Sequence, residues 1–144
     1  MGLSERPSNK IFYINKLSST STMSKFKKNS KYLKFKNMLT RSKKNYIDKY
    51  SVKTSSINIF FRNTKFTNCL LKIDVEGFEY NVLEGSKSKI GNINYILIEN
   101  QFGNLYKNKN FNEIRNYLYK KKFRILKKFT SPTLHYQDII FKKS

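Results

Sequence analysis

The chain contains little that would staple, break or anchor it. One of its 144 residues is cysteine, so no internal disulfide can form. Cys69 lies in the apolar run Cys69-Leu70-Leu71, which marks it as a small buried hydrophobe rather than a reactive thiol. A reducing compartment is expected. Tryptophan and alanine are absent, there are two prolines and five glycines, and Gly2 is the one glycine ahead of Gly77. A glycine-rich loop, which lets a backbone approach a cofactor closely, is therefore excluded before Gly77. No run approaches the roughly 18 apolar residues that span a bilayer. The start Met1-Gly2-Leu3-Ser4-Glu5-Arg6 lacks the apolar core of a signal peptide, and Arg6 stands where the myristoylation pattern requires Ser or Thr. The sequence predicts a cytoplasmic protein with no membrane span.

Acid is also scarce: nine Asp and Glu face 30 Lys and Arg, for a net charge of +21. Such a balance ordinarily points to a polyanion. Here 25 of the basic residues are lysine and five arginine, beside 17 asparagines, 14 isoleucines and no alanine. A/T-rich codons raise Lys, Asn, Ile, Phe and Tyr together and lower Ala, Arg, Gly and Pro, so nucleotide composition accounts for the charge. The stretch Lys25 to Lys49, with Phe26, Tyr32, Phe35 and Tyr46, has the makings of a basic aromatic surface. No arginine cluster, zinc-finger spacing or ribonucleoprotein-type aromatic motif accompanies it, and nucleic acid is not an expected partner.

The scarce acid is concentrated. Five of the nine acidic residues, Asp74, Glu76, Glu79, Glu84 and Glu99, follow one another closely after the apolar run at Cys69. An apolar run ending in an acidic residue, then Gly77, then a helix-like pattern is how an α/β sheet presents side chains at the carboxyl ends of its strands.

The remaining elements follow from periodicity. Lys10 to Asn15 reads as a strand, followed by a polar loop at Ser18 to Thr22 and a segment of low order, a lid or substrate loop, from Ser24 to Lys49. Tyr50 to Phe61 reads as a second strand. Cys69 to Val75 predicts a central strand buried on both faces. Phe78, Val82 and Leu83 share a helical face, with Gly85 as a left-handed terminus or kink. Asn94 to Glu99 predicts the next strand, and Asn100 to Gly103 a turn away from its end. Asn110 with Glu113 has capping-box spacing and opens a helix to about Lys121. Phe123 to Phe129 and Leu134 to Phe141, around Ser131-Pro132, predict an antiparallel pair. The expected whole is one domain over residues 1–144, with a hairpin and lysine-rich loop in 1–68 and a β-α-β-α-β-β core in 69–144.

The run Lys72-Ile73-Asp74-Val75-Glu76-Gly77-Phe78-Glu79 is similar to the K-I-D-V-E-G-x-E signature of the FkbM family of S-adenosylmethionine-dependent methyltransferases, and Val82-Leu83-Glu84-Gly85 and Ile96-Leu97-Ile98-Glu99 also fit. The resemblance implies the latter half of a class I, Rossmann-like α/β fold with its terminal antiparallel strand pair. Met1-Gly2-Leu3-Ser4 resembles the family's stretch just after the third strand, so the cofactor-binding first half is missing. It further implies methyl transfer from S-adenosylmethionine to an oxygen of a sugar or secondary metabolite. Without the Gly-rich turn no cofactor-binding residue is assigned, and the isolated fragment is expected to be inactive. A non-catalytic remnant or binding module is the competing expectation. A truncated sheet should also leave a free apolar edge at Cys69 to Val75, favouring self-association.

On this resemblance Asp74 and Glu76 are the expected catalytic residues, orienting a substrate or helping to remove a hydroxyl proton. Helix capping competes for both, and for Glu79 it is the expected role. Asp74, Glu99 and Asn100, at neighbouring strand tips, are candidate oxygen ligands for Mg²⁺, as in catechol-type methyltransferases. His135, the lone histidine, supplies neither a metal cluster nor a triad by itself.

Overall fold

The computed structural model describes residues 1–15, 20–25, 27, 46–102, 106, 110–132 and 136–144. Among them two sheets form. The smaller contains β1 (Gly2–Leu3), β2 (Ser8–Ile14) and β3 (Asp48–Ser55) in the order β1-β3-β2, with β1 parallel and β2 antiparallel to β3. The larger contains β4 (Cys69–Ile73), β5 (Ile93–Gln101), β6 (Phe123–Thr130) and β7 (Tyr136–Lys143) in the order β4-β5-β7-β6. Within it β4 and β5 run parallel, and β7 lies antiparallel between β5 and β6. The architecture is mixed α/β, with helices α1 (Ile57–Phe60), α2 (Glu79–Glu84) and α3 (Phe111–Lys120).

Pleat alternation sorts the larger sheet into two faces. Ile73, Ile96, Ile98, Ile139 and Phe141 lie on one, buried under Val82 and Leu83 of α2 and Ile114 and Leu118 of α3. Leu70, Lys72, Leu97 and Glu99 lie on the other, where Leu70 is 58% exposed. The capping box at α3 is complete: the Glu113 N–H donates to Asn110 Oδ1 at 3.2 Å and the Asn110 N–H to Glu113 Oε2 at 2.9 Å. Such a cap stabilises a helix by about 1 kcal/mol.

Three expectations are corrected. The run Cys69 to Val75 forms the free edge that the truncated sheet implies, but not a strand buried on both faces: Ile73 is buried while Leu70, on the other face, is exposed. The second strand ends at Ser55 rather than Phe61. Ser56 accepts the Ile59 N–H at 3.3 Å and starts the single-turn helix α1, which carries Ile57 into the core. Gly85 is right-handed, at φ −70°, so neither a left-handed terminus nor a kink explains it. A Cβ there would lie 2.1 Å from the Ser4 carbonyl oxygen; the glycine permits the smaller sheet to close on α2. The proposed lid falls outside the described residues over most of its length, as does His135. No described helix is long and apolar enough to cross a membrane.

Candidate active site at the end of strand β4

Beyond Ile73 the chain leaves the sheet and turns sharply. Glu76 has φ +51° and Gly77 φ +85°. A non-glycine residue in the left-handed region costs on the order of 1–2 kcal/mol, so the turn needs support from its surroundings. Thr22 Oγ1 donates to the Glu76 carbonyl and Ser24 Oγ to the Gly77 carbonyl, each at 2.7 Å, and both side chains are buried. Thr22 is itself placed by its bridge to Tyr13 of β2. From the other side, the Gly77 N–H donates to Glu79 Oε1 at 2.8 Å. The Tyr106 ring covers Gly77 so closely that a Cβ would lie 2.2 Å from it.

This turn delivers the carboxylates. Asp74, Glu76 and Glu99 each bring one oxygen within 4.8 Å of the others. Tyr106 donates its hydroxyl to Glu76 Oε2 at 2.8 Å, and Gln101 Nε2 donates to the same oxygen and to Glu99 Oε1, the latter at 3.0 Å. The ammonium of Lys72 stands 3.2 Å from Asp74 Oδ2, an exposed ion pair that contributes little to stability.

Burial and crowding of like charge set the titration of this cluster. Burial is the main cause pushing Glu79 up to about 7, against the pull of backbone N–H groups at Glu79, Gly77 and Val75; the Glu76 charge adds to the rise. Glu99 is raised by burial, lowered by the Gln101 bond, and raised again by Asp74, Glu76 and Asp138. Burial and the neighbouring Glu76 carboxylate push Tyr106 far above the ordinary tyrosine range, so its hydroxyl remains a donor.

Asp74, Glu76 and Glu99 thus meet, whereas Asn100 does not join them. It extends β5 between Glu99 and Gln101, and the pleat turns it to the opposite face. Glu79 caps the turn as well as opening α2. Gln101, Tyr106, Thr22 and Ser24 are residues that the sequence did not single out. For Gln101 a signal exists, because it lies two residues from Glu99 and so shares its face.

Asp74, Glu76 and Glu99 are close enough to share a cation, but the ammonium of Lys72, the amide of Gln101 and the hydroxyl of Tyr106 already aim hydrogens at Asp74 Oδ2, Glu99 Oε1 and Glu76 Oε2, in competition with Mg²⁺. No described glycine offers, at the carboxylate rim, the close backbone approach that S-adenosylmethionine requires. A Cβ on Gly2 would make only ordinary contact with Met23 at 3.5 Å, the Gly77 face is filled by Tyr106, and the Gly85 face by Ser4. Gly91 is open but precedes β5, at the end of the sheet away from the carboxylates.

Among known proteins, the family model for the FkbM methyltransferase domain matches residues 4–125. No curated protein and no solved structure matches the chain.

Proposed function

Because the chain belongs to the FkbM methyltransferase domain family, we propose that it forms the acceptor side of an S-adenosylmethionine-dependent O-methyltransferase acting on a hydroxyl of a sugar or secondary metabolite. The observation that carries this reading is the meeting of Asp74, Glu76 and Glu99 at the carboxyl ends of two adjacent parallel strands, in a chain of net charge +21. Crevices at that rim are where open α/β sheets bind ligands. The strand order β4-β5-β7-β6, with β7 antiparallel, supports placing this sheet as the latter half of a class I, Rossmann-like fold.

In this reading Asp74 and Glu76 act on the acceptor. A hydroxyl placed between them donates to one carboxylate, which orients the oxygen and takes its proton as the oxygen becomes a nucleophile. Glu99, raised by burial and neighbouring charge, accepts a second hydroxyl of the same molecule. S-adenosylmethionine would supply the methyl group. Among the described residues no glycine makes a cradle for it, so in this reading these residues bind the acceptor.

Titration of the ¹⁵N-labelled chain with methyl β-D-glucopyranoside tests the acceptor reading. Amide shifts confined to residues 74–77 and 99–102, with millimolar affinity that falls in Asp74→Asn, are expected. Shifts scattered over the surface, or equal in wild type and variant, would leave a non-catalytic remnant as the better account.

A further inference from the structure

One side chain grips both left-handed residues of the turn. The ring of Tyr106 lies on Gly77, and its hydroxyl reaches Glu76 Oε2 at 2.8 Å. Tyr106 is only 7% exposed, so its ring is fixed by packing rather than by the hydroxyl bond alone. Gln101 donates to the same oxygen. Glu76 Oε1 accepts no hydrogen bond among the described residues, and Glu76 is half-buried, within reach of solvent. The two donors therefore fall on one side of the carboxylate and leave the other side open.

We propose that Tyr106 is the positioning residue of this site: it holds Glu76 Oε2 and thereby presents Oε1 to the acceptor hydroxyl, an inference that rests on the acceptor reading above. Tyr106 acts through Glu76, whose carboxylate its hydroxyl bonds. It fixes the backbone of the turn through its ring and the aim of the carboxylate through its hydroxyl, and these two actions separate by mutation. Glu76 would otherwise sample several rotamers, and fixing a reacting group in one geometry is a large part of what a site contributes to rate and binding.

Tyr106→Phe keeps the ring and removes the hydroxyl. In the ¹³C,¹⁵N-labelled chain, side-chain three-bond couplings should report one Glu76 rotamer in wild type and averaging in the variant, while the Gly77 amide shift stays in place. Affinity for methyl β-D-glucopyranoside should fall about tenfold. Tyr106→Ala, which also removes the ring, should displace the Gly77 amide. A single Glu76 rotamer in Tyr106→Phe, or averaging already present in wild type, overturns the proposal. If Tyr106→Phe does not fold, Glu76→Gln reads the same bond from its other end: the Tyr106 ¹³Cζ resonance, silent through the ordinary tyrosine range in wild type, should begin to titrate lower. No change there also overturns it. Failure of wild type to bind the glucoside counts against the acceptor reading alone, because the couplings are measured without ligand.

Discussion

Phe123 and Thr22 are about equally inaccessible, at 0% and 1% exposed, yet they stabilise different regions by different means. Phe123 starts β6 and fills the core of the larger sheet with Ile96, Ile98, Phe141 and Leu118, where stability comes from apolar surface removed from water. Thr22 lies in the smaller sheet's territory and stabilises through a hydroxyl placed on the Glu76 carbonyl. The core is redundant, since many side chains share the burial. The turn at Val75 to Phe78 depends on single contacts from Thr22, Ser24, Glu79 and Tyr106, each with its own partner. The fold is thus held by area and the site by a few directed bonds, so the two should fail separately.

The largest expected effect is on the core side of that contrast. Phe123→Ala should destabilise the chain by about 3–5 kcal/mol, through lost transfer energy and the cavity left behind. Urea unfolding measures it. With typical domain stabilities of roughly 5–15 kcal/mol, the variant would be close to unfolding. A loss under about 1 kcal/mol would mean that the site collapses around the smaller side chain and that the core is less closely packed than described.

A smaller, pH-dependent effect should come from the turn. Folding raises Glu79 from 4.5 to about 7, so between those values the folded chain holds a proton that the unfolded chain has lost. The contribution of the protonated carboxyl is fully present below about 4.5 and is lost as pH rises through about 7, amounting to about 3 kcal/mol. Glu5 is no rival in that window. Burial raises it, but bonds from Lys10, Ser4, its own backbone and Asn81 outweigh the burial and hold it at about 2, so its stabilisation changes only at lower pH. Glu79→Gln should flatten the fall in stability between pH 5 and 8, measured by urea unfolding at both values. Parallel curves for wild type and variant would place the ionisation elsewhere.

The same contrast explains what the sequence disclosed. The helix at Phe111 was legible because Asn110 and Glu113 cap each other across three residues, and β5 because Tyr95-Ile96-Leu97-Ile98 is a short apolar, β-branched run. The carboxylate cluster was legible because acid is rare in this chain, so Asp74, Glu76 and Glu99 stood out. The supports of the turn were not. Thr22 acts 54 residues away and Tyr106 30 residues away from Glu76, and Thr22 and Ser24 bond backbone carbonyls, whose position leaves no trace in residue type. The free edge of β4 was expected from the resemblance, but the exposure of one of its faces was hidden for a related reason. An apolar run records a strand's side chains but not whether a layer covers each of its faces. Gly85 was misread because a glycine required by the Ser4 carbonyl looks the same in sequence as one required by a positive φ.

The central claim is that these residues supply the acceptor side of a methyl-transfer site and not its cofactor side. Calorimetric titration of the 144-residue chain with S-adenosylmethionine, with and without Mg²⁺, tests it most directly. The account predicts no binding heat in the micromolar range under either condition. Micromolar binding would contradict it, because a cofactor cradle would then exist in a chain whose described glycines offer none at the carboxylate rim.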